Sequence, residues 1–285
     1  PFTLSASGSD ANGDALTYSW EEFDLGASGN WNAPVGDAPI FRPFSPVTSG
    51  SRTFPKLSDI LSNTTTIGEI LPSYARTLKF RITVRDNRVN GGGVMHPEDT
   101  VRVNVINTGT GFSVTSPNTA VTWYTNQAAT VTWNVASTNV APINTANVNI
   151  LLSLDGGNTF PLTLASSTAN DGTESITVPS NLTTQARIKV EAAGNIFFDI
   201  SNANFTIAAS SGILSVLSTD AVSPSTLCVG QSLNVGFTGD GAANAGDIYT
   251  AQLSESAGSF SAPVVIGSLA GTMNAGVIPC NIATG

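Results

Sequence analysis

The sequence predicts an all-β fold of tandem antiparallel sandwiches, and three observations lead there. Between Gly111 and Ile207, apolar and small polar residues alternate at period two, as in Val131-Thr132-Trp133-Asn134-Val135 and Val148-Asn149-Ile150. That period turns one side of each strand to a core and the other to water. Asp155-Gly156-Gly157 and Asp171-Gly172 punctuate the alternating runs, and Asp-Gly supplies the positive φ angles of tight hairpin turns. Helical apolar spacing is not sustained anywhere over roughly a dozen residues. Residues 111–207 therefore read as one antiparallel sandwich, immunoglobulin-like in outline.

Composition bounds the rest. With 41% apolar residues in 285, the chain can bury a sizeable core, and at about 100 residues per β-module it predicts two to three domains. Only 11% of residues are charged, which leaves a hydroxyl- and amide-rich surface of the kind extracellular β-proteins carry. The net charge of −9 repels nucleic-acid phosphates and anionic lipid. It suits metal cations, neutral glycans or basic protein surfaces. Two cysteines are too few for a disulfide framework. No run of about 18 apolar residues offers a membrane-spanning helix. Pro1-Phe2 enters a strand at once and the closing IPCNIATG stops where a β-domain would continue, so the sequence reads as a piece of a longer chain.

Three modules are expected, at 1–107, 108–208 and 212–285. In the first, Phe2–Ala6 and Ala15–Phe23 are strands, and Leu16, Tyr18 and Trp20 share one face of the second. Residues 25–72 are rich in Gly, Pro and Ser with weak periodicity. So long a connection is expected to be a packed insertion or a functional loop, with one helical turn near Lys56–Leu61 and aromatics at Phe41 and Phe44 that need partners. Strands return at 77–86 and 99–105, with Gly91-Gly92-Gly93 as the hairpin tip between them. Thr108-Gly109-Thr110-Gly111 is too short for free domain motion, whereas Ala208-Ala209-Ser210-Ser211-Gly212 reads as a small-residue linker. The third module is expected to open at Ile213, Leu214, Val216 and Leu217, with later strands at 233–237, 249–253 and 264–266.

Few residues carry chemistry. Asp10, Asn12 and Asp14 alternate along an early loop, and an Asp-x-Asn-x-Asp spacing converges hard oxygens as calcium requires. The same residues also make Asx-turns, in which side chains bond their own backbone, and both readings stay open. His96 with Glu98 and Asp99 could form a second metal site or an ordinary surface loop. A Ser-His-Asp triad lacks the G-x-S-x-G elbow. Trp20 and Trp133 fall in core register. Trp31, in the irregular loop, is the candidate for an exposed glycan platform, and of Trp123-Tyr124 one ring must face outward. Cys228 precedes a strand and Cys280 lies in one, so either a disulfide between them or two free thiols fits.

Ser9-Asp10-x-Asn12-Gly13-Asp14-x-Leu16-Thr17-Tyr18-x-Trp20 and Thr83-Val84-Arg85-Asp86-Asn87 resemble PKD and cadherin-like extracellular domains. The resemblance implies that Asp86 joins the early loop around calcium. DALTYSWEEFDLG, APIFRPFSP, LPSYARTLKFRITVRDN, VTWYTNQAATVTWNV, and SLDGGNTFP through VPSNL look like the C-terminal accessory region of secreted reprolysin-like metallopeptidases of Gram-negative bacteria. CVGQSLNVGFT and YTAQLSESAGSF look like adhesin-type repeats. These likenesses span almost the whole chain. They imply a secreted or cell-surface location, a catalytic domain elsewhere in the parent chain, and protein or glycan surfaces as partners. One histidine cannot build the H-E-x-x-H zinc site, so no enzyme is expected here. The expected role is a non-catalytic spacer, adhesion or substrate-docking region, with a carbohydrate-binding array as the alternative.

Overall fold

The computed structural model describes residues 1–98, 100–209, 217–222, 226–239, 247–271 and 275–282. The expected linker residues Ser210, Ser211 and Gly212, the expected strand residues Ile213, Leu214 and Val216, and Asp99 lie outside them. The chain forms two compact units, Pro1–Ala208 and Ala209–Gly285.

The first unit opens with β1 (Phe2–Ser5), β2 (Thr17–Glu22), β3 (Ser51–Phe54), α1 (Leu57–Ser62), β4 (Arg76–Arg85), β5 (Val94–Met95) and β6 (Val101–Val105). β1 and β3 pair antiparallel and face a second sheet in which β4 has β2 on one side and β5 and β6 on the other. Alternate residues of both sheets meet between them: Phe2, Leu4 and Phe54 from one, Tyr18, Trp20, Leu78, Phe80 and Ile82 from the other. Burial of such side chains is the main stabilising term, at about 25 cal/mol per Å² of apolar surface.

The long connection after Leu25 packs on the sandwich through residues 38–41, 52–61 and 68–70, while 25–33 and 42–49 are exposed. Within it lies β3, which the weak periodicity did not reveal, and α1 falls where one helical turn was expected. Phe41 seats its ring against Phe2, Phe54 and Phe80 at centroid distances of 5.1–6.0 Å. Polar clamps hold the backbone of the insertion in place. Glu22 Oε2 accepts the N–H groups of Ile40 and Phe41 at 2.6 Å each. The Arg52 guanidinium lies over the Phe44 and Phe54 rings at 4.3 and 4.4 Å and donates to Glu69 at 2.6 Å. Glu69 in turn accepts from Lys56 N. Loop backbone can be buried only when its polar groups find such partners.

The second sandwich follows as β7 (Ser113–Ser116), β8 (Thr122–Tyr124), β9 (Ala128–Asn134), β10 (Asn147–Ser153), β11 (Leu162–Ala169), β12 (Thr173–Thr177), β13 (Thr183–Ala192), β14 (Phe198–Ile200) and β15 (Phe205–Ala208). One sheet runs β12-β9-β7. The other runs β11-β10-β13-β15-β8 with β14 also on β13. Val131 and Trp133 from the first sheet bury against Ile150, Ile188 and Phe205 from the second. Gly156 and Gly157 sit at φ +78° and +97° in the β10–β11 hairpin, as the Asp-Gly signal predicts. Asp171-Gly172 differs from the expectation. It carries the chain from β11 in one sheet to β12 in the other, so its positive φ makes a sandwich corner instead of a hairpin.

The two sandwiches of this unit interlock. A Cβ built on Gly157 would stand 2.4 Å from Leu61 Cδ2, so α1 rests on the β10–β11 turn. Asn63 Nδ2 donates to Asn202 O at 2.9 Å, Phe2 bridges to Phe197, and Phe198 N donates to Pro1 O at 3.1 Å.

The second unit contains β16 (Leu217–Thr219), β17 (Ser232–Gly239), β18 (Ile248–Leu253), β19 (Val264–Ala270) and β20 (Ala275–Asn281). Its described strands make the sheets β16-β17-β20 and β18-β19, which share a core of Val235, Phe237, Tyr249 and Ile278. The Cys228–Cys280 disulfide is not formed, and both thiols are free. β17 and β20 do pair, but Cys280 sits opposite Leu233, five positions beyond Cys228 (233 − 228). Cys280 faces the core and Cys228 lies exposed on the turn before β17. The register therefore keeps the two sulfurs in different environments, one in the core and one exposed.

Candidate metal centre

Antiparallel pairing of β2 with β4 sets Thr17 opposite Arg85. The loop that enters β2 therefore lies beside the residue that leaves β4, which brings Asp10 and Asp14 to Asp86. Carboxylate oxygens from all three lie within 4.8 Å of one another. Asn12, the fourth residue expected at this site, is exposed in the same turn.

Each carboxylate is held by its backbone. Asp10 Oδ1 accepts from Asn12 N at 2.8 Å and Asp14 N at 3.0 Å, so the Asx-turn reading describes how the loop is shaped. Both carboxylates and turn can coexist, because each carboxylate oxygen has a second lone pair to offer. Asp86 accepts from Gly93 N at 2.8 Å on both oxygens and from Arg88 N at 3.2 Å. These bonds, that of Gly93 foremost, hold its pKa below the usual carboxylate range, so it stays ionised at neutral pH. The β4–β5 tip is glycine for a reason beyond turn geometry: a Cβ on Gly92 would stand 2.8 Å from Asp86 Oδ1.

Asp14 Oδ2 is buried and makes no hydrogen bond. A buried acceptor without a partner is costly, and here it stands among two further carboxylates. That orphaned oxygen fits a hard cation. Calcium takes six to eight oxygens at roughly 2.3–2.6 Å, which the three side chains would share with backbone carbonyls and water.

Asn87, which the sequence offered only as part of the Thr83–Asn87 likeness, completes the local frame. With φ +56° it turns the chain after Asp86, and its Nδ2 donates to Ala15 O at 3.1 Å and Thr17 Oγ1 at 3.0 Å. The loop is thereby tied to the end of β4. An Asp-Asn pair closing a long strand was the available signal, because Asn tolerates the left-handed region.

The other expected sites fare differently. His96 and Glu98 are exposed, and among the described residues no metal-holding group includes them. Trp31 is 45% exposed in a turn, and no aromatic pair among the described residues includes it. Trp20 and Trp133 are core, with their indole N–H groups bonded to Gly50 O and Asn170 Oδ1 at 2.9 Å. Trp123 packs on Phe205 at 4.6 Å while Tyr124 faces outward. No helix among the described residues is long and apolar enough to cross a membrane.

No family model matches the chain, and no curated protein matches it. Among solved structures it is similar to three N-terminal domains of the Highly Immunogenic Outer Capsid protein of bacteriophage RB49. That match has 13% identity over 99% of this chain and 81% of the other, with a TM-score of 0.20. It is also similar to the FN1–FN3 domains of chicken CNTN1, at 10% identity, 99% and 83% coverage and TM-score 0.21. A third match is the N-terminal eight Ig domains of Down Syndrome Cell Adhesion Molecule, at 12% identity, 93% and 32% coverage and TM-score 0.22. TM-scores this low carry no argument, and the all-β fold rests on the sheets described above.

Proposed function

We propose that the chain is a non-catalytic extracellular spacer and docking region of a larger secreted protein, stiffened by calcium in its first sandwich. The observation that carries this reading is the interlocked junction of the first two sandwiches. Leu61 over Gly157, the Asn63–Asn202 bond and the Phe2–Phe197 bridge fasten two cores into one body. A spacer works by such stiffness, holding whatever it is joined to at a set distance. The acidic loop adds to it: a cation shared by Asp10, Asp14 and Asp86 would clamp the β1–β2 loop to the end of β4. The resemblance of several sequence phrases to accessory regions of secreted reprolysin-like metallopeptidases is what supports a peptidase domain as the neighbour in the parent chain. A glycan-binding role has the exposure of Trp31 in its favour, but no aromatic pair among the described residues includes that ring.

Spin labels at Ser51→Cys and Thr130→Cys, in a Cys228→Ser background, test the stiffness through the dipolar distance distribution. A single narrow distance is expected. A broad distribution with calcium present would show that the sandwiches hinge freely and would overturn the spacer reading.

A further inference from the structure

β6 ends the first sandwich as β15 ends the second, yet the two strands are finished differently. β15 carries a further strand, β8, in parallel register, with Thr206, Ile207 and Ala208 opposite Thr122, Trp123 and Tyr124. β6 pairs with β4 on one side only. Among the described residues its other edge makes no backbone hydrogen bond. An unpaired edge is a ready template for another strand unless it is blunted or covered.

Beside β6 runs a groove of about 860 Å³, walled by β6, the segments 71–74 and 106–112, and residues 138–143 and 195–198 of the second sandwich. Its surface includes the part-exposed apolar side chains Leu71, Ile106 and Ile196, each 38–40% exposed, together with Phe112 and Phe197. Arg102 is the only charged side chain in the wall. It makes no ion pair among the described residues, although acidic groups outnumber basic ones 20 to 11 along the chain.

We propose that the free edge of β6 accepts an extended segment of a partner polypeptide as an added strand, with a carboxylate of that segment against Arg102. Main-chain bonds to the edge would supply affinity, and the apolar groove would read alternate side chains of the incoming strand. The local charge selects an acidic strand. A second copy pairing through the same edge is disfavoured, because Val101-Arg102-Val103-Asn104-Val105 carries no carboxylate to meet Arg102. The proposal goes beyond the spacer reading and does not depend on calcium.

The test uses the whole chain and two capped heptapeptides, Val-Thr-Val-Asp-Val-Thr-Val and its counterpart with Lys in place of Asp. Amide hydrogen exchange follows Val101–Val105. The Asp peptide should slow exchange at alternate amides of β6 and leave the inward-bonded ones unchanged. It should bind about three- to five-fold tighter than the Lys peptide, the ratio one exposed ion pair supplies. Arg102→Glu, an exposed substitution on an edge strand, should invert that preference without moving Tm. Absence of protection at millimolar peptide would overturn the proposal and leave Arg102 as a charge that merely guards the edge. Equal binding of both peptides, unaffected by Arg102→Glu, would overturn the assigned partner chemistry. Concentration-dependent protection without any peptide would make the occupant a second copy and overturn the proposal as well.

Discussion

Asp14 Oδ2 is the atom on which the metal reading turns, because it is buried, unbonded and close to two other carboxylates. A ligand that binds only the folded state stabilises it by RT ln(1 + [L]/Kd), so a site of about 10 μM affinity at 1 mM calcium adds about 2.7 kcal/mol. Melting with excess EDTA and then with calcium should show that rise, and Asp14→Asn or Asp86→Ala should abolish it. An unchanged Tm would leave the loop as an Asx-turn. Ser153 offers a residue-scale control far from the metal. Fully buried, its Oγ accepts from Gly157 N at 2.8 Å and donates to Asp155 Oδ1 at 2.7 Å. Ser153→Ala strands the Gly157 N–H and should cost about 1–3 kcal/mol in a denaturant titration, with the calcium response intact. Of these residues, Asp10, Asn12 and Asp14 were legible as alternating oxygens. Asp86 entered only through a resemblance, because nothing local in the sequence places position 86 beside position 14.

At the scale of elements, α1 and the β10–β11 turn fasten the first unit. Gly157→Ala would force a side chain into φ +97° and against Leu61, at a cost of about 1–3 kcal/mol. Leu61→Ala removes the steric part, so the double variant should cost less than the sum of the two singles, with a coupling of roughly 0.5 kcal/mol or more. Strict additivity would mean that the helix and the turn do not bear on each other. β3 shows why parts of the insertion could not be read ahead. Ser51-Arg52-Thr53-Phe54 has little apolar alternation and becomes a strand because β1 offers it an edge and Arg52 finds Glu69 and two aromatic rings. Tertiary context overrides strand propensity in this way.

Stability of the whole molecule should depend on pH in two opposed windows. Burial, with Asp24 alongside, pushes the Glu22 carboxyl up to about 7 against the opposing effect of two backbone N–H groups and Arg76. Burial likewise raises Glu69. A carboxyl raised on folding binds its proton more tightly in the folded chain, so stability falls as pH climbs from about 4.5 to 7. Asp86 is depressed, and its contribution is lost as pH falls below the usual aspartate range. Tm of the first unit should therefore peak near pH 4–5. Glu22→Gln should flatten the alkaline limb, by at most about 3 kcal/mol between pH 4.5 and 7.5. A limb unchanged in that variant would assign the dependence to other groups. Calorimetry should also resolve two transitions, since residues 1–208 and 209–285 form separate compact units, and only the first should respond to calcium.

What the sequence determined by itself is the class of this protein. Period-two alternation, Asp-Gly turns and the lack of helical spacing specify strands and sheet faces, because those depend on neighbours one to four residues apart. The core assignments of Tyr18, Trp20 and Trp133 follow from the same local rule. The tertiary structure alone decided which strands pair, and with that everything that depends on distant positions meeting. It set Thr17 opposite Arg85 and so gathered three carboxylates. It set Cys280 opposite Leu233 and so left two thiols apart. It joined two sandwiches into one unit and left β6 with an open edge. Register is a property of two strands at once, set by packing and hydrogen bonding across the sheet, and no single stretch of sequence contains it.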